Sequence, residues 1–146
     1  PLDYEMVMTR PELEAGCGSQ NAIHARWARR MLAKLDAGAS FETSYPYPVQ
    51  AWRLGKELLF IGLGGEAVVD YSLRFKREYG AGAWVCGYAN DLVAYIPSSR
   101  VWREGGYEGG PHLDEYGHPA LRWAPDVEER VTTAVARIVG QAEKGE

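Results

Sequence analysis

The stretch LLFIGLGGE, residues 58–66, decides the fold of this chain. Its first four residues are apolar without alternation, which is typical of a central strand that is covered on both faces. Residues 49–54 precede it across the turn Gly55-Lys56, so the two runs predict a β-hairpin. A glycine cluster at 62–65 then ends the second strand. The pattern indicates an α/β or α+β fold built around this hairpin.

Two more strands and three main helices are predicted around the hairpin. Strands are expected at 83–88 and 92–96, because both runs are short, apolar and bounded by turn residues. Helices are expected at 21–37, at 66–79 and from Pro125 onward, where apolar residues recur at helical spacing. Together these elements predict a mixed sheet of about four strands with three main helices, in a single compact layer structure.

The first predicted helix carries an apolar stripe and a candidate residue for each end. Ser19 or Asn21 can cap its start, and Gly38 suits its end, because glycine accepts the left-handed conformation that closes many helices. The stripe recurs every fourth position and is expected to face the core, at Ile23, Trp27, Met31 and Leu35.

The chain of 146 residues is long enough for one hydrophobic core and shows neither a linker nor an internal repeat. We therefore expect one domain over residues 1–146. Residues 1–20 are interpreted as a lead-in segment, since nothing in them alternates or repeats, and residues 141–146 as a frayed tail of the last helix.

Charge and hydropathy exclude two classes of partner. The 16 basic and 20 acidic residues give a net charge of −4, which offers no attraction to phosphate backbones, so no nucleic acid is expected to bind. Every apolar run falls far short of the roughly 20 residues that span a bilayer, so no transmembrane segment is expected. No signal peptide is visible, and a soluble protein is predicted, with export of a longer parent left open. Cys17 and Cys86 lack metal or disulfide spacing and are expected to be unpaired thiols.

Glu66 follows the glycine cluster, and three interpretations of it stay open. Residues 62–67 satisfy the pattern GxGxx(G/A) of dinucleotide-binding loops, although a glutamate at a helix N-terminus competes with a pyrophosphate. In the second interpretation, Glu66 only satisfies the start of the helix predicted at 66–79. In the third, it is a metal ligand held rigidly at a strand end.

Three loop tyrosines are further candidates. Tyr88, Tyr95 and Tyr107 lie in stretches rich in glycine and proline. A tyrosine is most often a packing residue whose hydroxyl finds a partner, so residue type alone favours a structural role for each of them.

Histidines and carboxylates also lie close together in the sequence. His112 and His118 enclose Asp114 and Glu115, and these side chains suit zinc. The spacing does not place two ligands on one helix face, and the surrounding glycines and prolines oppose a helix, so a solvated loop is expected there. His24 lies among charged residues and is expected to be exposed.

Five short motifs occur in a fixed order along the chain. They are Tyr47-Pro48-Val49-Gln50, Gly62-Leu63-Gly64-Gly65-Glu66, Gly87-Tyr88-Ala89-Asn90-Asp91, Tyr95-Ile96-Pro97-Ser98 and Gly105-Gly106-Tyr107-Glu108-Gly109. In that order and spacing they resemble the neutral/alkaline (non-lysosomal) ceramidase family, particularly its bacterial ceramidase-like members. The similarity runs from about residue 10 to about residue 139 and corresponds to the carboxyl-terminal portion of that family's catalytic domain.

The resemblance implies a zinc site and names residues for it. In the family a single zinc is held by two histidines, a glutamate and a tyrosine, and Glu66 and Tyr95 match the last two. Tyr107 stands twelve residues after Tyr95, as does a tyrosine that reaches into the family's active site. The resemblance therefore implies Glu66 and Tyr95 as metal ligands and Tyr107 as a catalytic hydroxyl donor. The neighbouring motif residues are implied as outer-shell or substrate-lining residues: Gly64, Gly65, Tyr88 and Asn90.

The implied activity is hydrolysis of the N-acyl amide of ceramide or a related lipid by a zinc-dependent amidohydrolase. The family's two histidine ligands lie upstream of the matching region, so the implied partner is an amino-terminal part of the same catalytic domain, and this chain alone is expected to be inactive. The alternative is a free-standing, non-catalytic binding or assembly domain on the same scaffold. Self-association through an exposed sheet edge or face is expected under either hypothesis.

Overall fold

The predicted hairpin and helices are present in a computed structural model that describes residues 1–142. Helices and strands are mixed in an α/β fold, as predicted. In chain order the elements are β1 (Leu2–Asp3), α1 (Arg10–Gly16), α2 (Ala22–Asp36), β2 (Ser44–Tyr45), β3 (Val49–Leu54), β4 (Leu58–Leu63), β5 (Glu66–Ala67), α3 (Val69–Tyr79), β6 (Ala83–Cys86), β7 (Tyr95–Ile96), α4 (Ser99–Glu104), α5 (Gly106–Gly109) and α6 (Val127–Ala142).

The central sheet has three strands in the order β3-β4-β6. Strand β4 lies in the middle, antiparallel to β3 and parallel to β6, which confirms the hairpin and the central position of its second strand. The expected fourth strand is not part of this sheet. Tyr95–Ile96 instead pairs with Glu66–Ala67 in a separate parallel ladder, because the chain leaves the sheet at the glycine cluster.

One face of the central sheet forms the core. Helix α6 packs against β3, and helix α3 against β6. Alternate residues of β4, namely Leu59, Ile61 and Leu63, are at most 2% exposed. Burying each such side chain contributes about 1.5–3 kcal/mol to folding. The hydrophobic pattern of β4 and α6 therefore accounts for how the core is assembled.

The opposite face of the sheet is open, so the expectation that β4 is covered on both faces is wrong for the described residues. Trp52, Phe60 and Trp84 are register partners on adjacent strands and therefore share this face. Trp52 is 58% exposed and Trp84 is 62% exposed. We refer to these three residues as the aromatic face.

Helix α2 begins and ends as predicted. The Asn21 side chain accepts a hydrogen bond from the Ile23 amide at 2.9 Å, and Gly38 follows the helix with a φ of +83°. Its buried side is narrower than the predicted stripe, because Ile23 is 45% exposed while Trp27 and Met31 are buried against α1.

Residues 1–20, interpreted as a lead-in segment, contain β1 and α1. They contribute to the core under the sheet and to a second hydrophobic cluster between α1 and α2. Leu2 and Leu13 are buried, and Tyr4 forms an antiparallel bridge with Trp123. At the other end, residues 141 and 142 continue helix α6, and the rest of the predicted frayed tail lies outside the described residues. Cys17 and Cys86 are unpaired, as predicted. Within residues 1–142, every helix is too short or too polar to cross a bilayer.

The helix predicted at 66–79 begins three residues later, at Val69. Gly65 adopts a φ of +59°, and the Glu66 amide donates to the Ala94 carbonyl at 2.8 Å, which places Glu66 in a strand. Helical periodicity at Val68, Ser72, Phe75 and Tyr79 extended the prediction backward, because a two-residue strand has too few positions to show a period of its own.

His118 links three parts of the core and makes folding sensitive to acid. Its Nε2–H donates to the Val93 carbonyl at 3.1 Å, so Nδ1 accepts from the Tyr4 hydroxyl at 2.9 Å and the ring is neutral. Burial lowers the pKa of His118 below its ordinary value. The unfolded chain therefore binds more protons than the folded chain as the pH falls through about 6.5, and folding loses stability there.

We expect the free energy of unfolding, measured in urea, to fall between pH 7.5 and pH 5.5. The variant His118→Gln is expected to weaken this dependence, and His24→Gln, outside this cluster, to keep it. A wild-type free energy of unfolding that is constant over this range would contradict the prediction.

Candidate functional site

The parallel ladder of β5 and β7 brings Glu66 and Tyr95 together. The two residues are register partners, so their side chains leave the same side of two strands about 4.8 Å apart. The Glu66 carboxylate lies close enough to the Tyr95 and Tyr88 hydroxyls to raise the pKa of both. Strand β5, the turn at Tyr88 and strand β7 therefore meet at the Glu66 carboxylate.

The glycine cluster holds Glu66 in this position. The Gly65 amide donates to the Asp91 carbonyl at 2.9 Å, and the Gly65 carbonyl accepts from the Tyr88 amide at 2.7 Å. The Gly64 carbonyl accepts from the Tyr47 hydroxyl at 2.6 Å. Gly64 and Gly65 are buried, so these predicted site residues act here as the backbone support of Glu66.

Tyr88 and Asn90 have unusual backbone conformations. Both have positive φ, 57° and 65°, which asparagine tolerates and tyrosine rarely adopts. Hydrogen bonds to the Gly65 and Leu63 carbonyls fix the turn from Tyr88 to Ala89. Strained backbone of this kind concentrates at functional sites, and here it directs the Tyr88 hydroxyl to Glu66 while Asn90 stays exposed.

The electrostatics of the cluster keep its phenols neutral at pH 7. The hydrogen bond to Glu66, followed by burial, raises the pKa of Tyr88 to about 12. Burial, followed by the hydrogen bond to Glu66, raises the pKa of Tyr95 to about 12. Burial and the neighbouring Tyr107 and Glu66 raise the pKa of Tyr116. A cation bound to the carboxylate would reverse this preference, because a nearby positive charge favours phenolate.

Tyr107 lies at the edge of the same cluster. Its ring is 5.3 Å from that of Tyr95, measured between centroids, at an interplanar angle of 67°. Tyr107 is 68% exposed and belongs to the short helix α5, which begins at Gly106. Gly105 and Gly106 both have positive φ. A hydroxyl in this position is available to a ligand bound at Glu66.

The prediction of a solvated loop around His112 and His118 is wrong. His112 is 3% exposed and Asp114 is 7% exposed, because the backbone amides of His112 and Leu113 both donate to the Leu121 carbonyl and draw the loop inward. Asp114 binds His24 at 2.7 Å, so His24 is half-buried rather than exposed.

His112 joins the tyrosine cluster instead. Its ring centroid is 5.8 Å from that of Tyr95 and 6.2 Å from that of Tyr116. Its Nδ1 is 2.8 Å from the Gly110 carbonyl, and its buried Nε2 has no hydrogen-bond partner.

The structure decides two of the three interpretations of Glu66. The dinucleotide loop and the helix-end role are both wrong, because each requires a helix that begins at Glu66, where the chain forms β5. In residues 1–142, no three His, Cys, Asp or Glu side chains are grouped so that they could hold a metal. A metal at Glu66 therefore needs tyrosine oxygen as well, and carboxylate, phenolate and imidazole donors are compatible with zinc.

Comparison of the chain with protein-family models, with curated proteins and with solved structures gives no match.

Proposed function

We propose that this chain is the carboxyl-terminal part of the catalytic domain of a zinc-dependent amidohydrolase, ceramidase-like, that acts on the N-acyl amide of ceramide or a related lipid. The observation that carries this proposal is the register pairing of Glu66 with Tyr95, with the Tyr107 ring 5.3 Å from Tyr95. The substrate class rests on the sequence resemblance.

In this proposal Glu66 and Tyr95 are metal ligands. Bound zinc would polarise the amide carbonyl and lower the pKa of a bound water. Glu66 offers a carboxylate, and Tyr95 would release its phenol proton to solvent on binding the cation. Tyr107 donates its hydroxyl to the oxygen on which negative charge develops.

The remaining ligands of a family-type site are proposed to come from an amino-terminal part of the same catalytic domain. A catalytic zinc has at least three protein ligands, and Glu66 with Tyr95 supplies two of them. The isolated chain is therefore proposed to be inactive as an amidase.

The test joins this chain to the upstream part of its own reading frame and measures release of fatty acid from an N-acyl-sphingosine together with zinc content. Glu66→Gln is expected to lower zinc affinity by at least about 100-fold, because it removes a charged ligand, and to abolish turnover. Tyr107→Phe is expected to retain zinc and to lower kcat by about 100- to 1,000-fold, as for loss of one oxyanion donor.

Glu57→Gln is the matched control for Glu66→Gln, because Glu57 is an exposed glutamate in the hairpin turn. This control is expected to keep both zinc and turnover. Unchanged zinc content and turnover in Glu66→Gln would refute the proposed function.

The aromatic face favours a second candidate, a non-catalytic binding or assembly domain. Trp52 and Trp84 expose apolar rings on either side of Phe60 on one sheet face, and large exposed apolar patches mark interaction sites. Under this candidate the joined protein neither retains zinc nor releases fatty acid, which is the outcome that separates it from the first.

A further inference from the structure

We propose that His112 is a third metal ligand, so that this chain alone holds zinc through Glu66, Tyr95 and His112. The inference rests on the proposed function, from which it takes Glu66 and Tyr95 as ligands. It goes further in assigning a histidine that lies within this chain, five residues after Tyr107.

The hydrogen bond of His112 leaves the correct nitrogen free. A carbonyl oxygen can only accept, so Nδ1–H donates to the Gly110 carbonyl at 2.8 Å, and in the neutral ring Nε2 carries the lone pair. Histidines that bind metals through one nitrogen almost always donate the other N–H to a carbonyl, a carboxylate or water. His112 therefore has the tautomer and the anchor of a metal ligand.

The buried Nε2 atom requires a partner that the described side chains do not supply. His112 is 3% exposed, and Nε2 has no hydrogen-bond partner. Buried polar atoms without partners are rare in folded proteins, and a bound ion is one of the accepted explanations. A cation at this nitrogen would satisfy it.

The other two histidines of the chain do not share this feature. His118 uses both ring nitrogens, for the Tyr4 hydroxyl and the Val93 carbonyl. His24 uses its Nδ1 to bind Asp114 at 2.7 Å. His112 is thus the histidine that combines burial, an unpartnered nitrogen and contact with Tyr95.

The distance between the His112 and Tyr95 rings fits two ligands of one ion. Zinc lies about 2.0–2.1 Å from a histidine nitrogen and about 2.0–2.2 Å from an oxygen ligand, so the two ring centroids around a tetrahedral zinc are about 6 Å apart. The observed centroids are 5.8 Å apart, and the rings are nearly perpendicular at 81°.

The loop around His112 is held before any ion binds. The Gly110 amide donates to the Gly106 carbonyl at 3.0 Å, and the His112 amide donates to the Leu121 carbonyl at 2.9 Å. Tyr116 packs edge-on against His112 with 6.2 Å between ring centroids. Carboxylate, phenolate and imidazole are all donors that zinc accepts, so the three side chains together could hold the ion.

The test uses the 146-residue chain itself and measures zinc affinity by competition with a chromophoric chelator, and the visible absorption of the Co²⁺-substituted chain. One equivalent of zinc is expected. His112→Gln, Glu66→Gln and Tyr95→Phe are each expected to weaken zinc binding by at least 10- to 100-fold and to change the Co²⁺ spectrum. His24→Gln is the matched control and is expected to change neither.

X-ray absorption of the wild-type zinc-loaded chain keeps the test decisive if His112→Gln fails to fold. One imidazole ligand is expected, and a zinc environment without imidazole would overturn the inference. If Glu66→Gln and Tyr95→Phe lose zinc while His112→Gln retains it, the inference fails and the proposed function stands. If the wild-type chain binds no zinc, the inference is overturned, and amidase activity of the joined protein decides the proposed function separately.

Discussion

Replacing Trp123 with alanine is expected to lower the free energy of unfolding by about 3–5 kcal/mol, the range for losing a large buried aromatic side chain. Trp123 is completely buried and stacks on Tyr4 with 5.4 Å between ring centroids. Its Nε1–H donates to the Tyr95 carbonyl at 2.9 Å. The substitution thus leaves a cavity, removes a stacking partner and frees a carbonyl in the strand that positions the candidate site.

Unfolding in urea, followed by circular dichroism, measures this loss. Trp84→Ala is the matched control, because Trp84 is 62% exposed, and it is expected to change the free energy of unfolding by less than about 0.5 kcal/mol. Equal losses of free energy in the two variants would contradict the prediction that the buried contacts of Trp123 stabilise the fold.

Replacing Gly65 with alanine is expected to cost about 2–4 kcal/mol, from a left-handed backbone and an overpacked contact together. Gly65 has a φ of +59°, and an added Cβ would lie 2.5 Å from the Ala94 carbonyl oxygen and 2.9 Å from Val93 Cγ1. The backbone must move where Glu66 pairs with Tyr95, so the variant is also expected to bind the proposed zinc more weakly.

Gly38→Ala separates the two contributions. Gly38 also has a positive φ, +83°, but an added Cβ would have no atom within 4 Å. The free energy of unfolding of Gly38→Ala is therefore expected to fall only by the cost of the left-handed backbone, about 1–2 kcal/mol, in the same urea measurement. A loss in Gly65→Ala no greater than that in Gly38→Ala would exclude the steric contribution.

Local patterns predicted the elements that are long enough to show a period. The hairpin of β3 and β4 was found because a continuous apolar run follows a short run and a turn at Gly55-Lys56, and the helices α2 and α6 were found because four or more apolar positions repeat at helix spacing. The Asn21 cap and the Gly38 end of α2 were found because backbone chemistry restricts which residues fit there.

Local patterns do not predict which distant segments of the chain pair with each other. The ladder of β5 and β7 consists of two residues on each strand, so no periodicity distinguishes Glu66 from the start of the following helix. The prediction that Glu66 and Tyr95 lie together came from the order of the motifs, and their register pairing is consistent with it.

The part of the candidate site that was missed is the part that depends on tertiary contacts. The composition around His112 is typical of a solvated loop, with glycines and a proline on both sides. Its burial follows from backbone hydrogen bonds to Leu121, which carry no signal in residue type. The grouping of His112 and His118 with Asp114 and Glu115, side chains that suit zinc, was the available hint.

The aromatic face gives the protein an optical reporter of its own surroundings. Trp52 and Trp84 are the strongly exposed members of a set of five tryptophans, whereas Trp27 and Trp123 are at most 2% exposed. Indole emission shifts to shorter wavelength when water leaves the ring. A partner that covers this sheet face therefore changes the emission wavelength and the quenching of Trp52 and Trp84, while the emission of the buried rings stays constant. Intrinsic fluorescence therefore reports on contact at the aromatic face without a label.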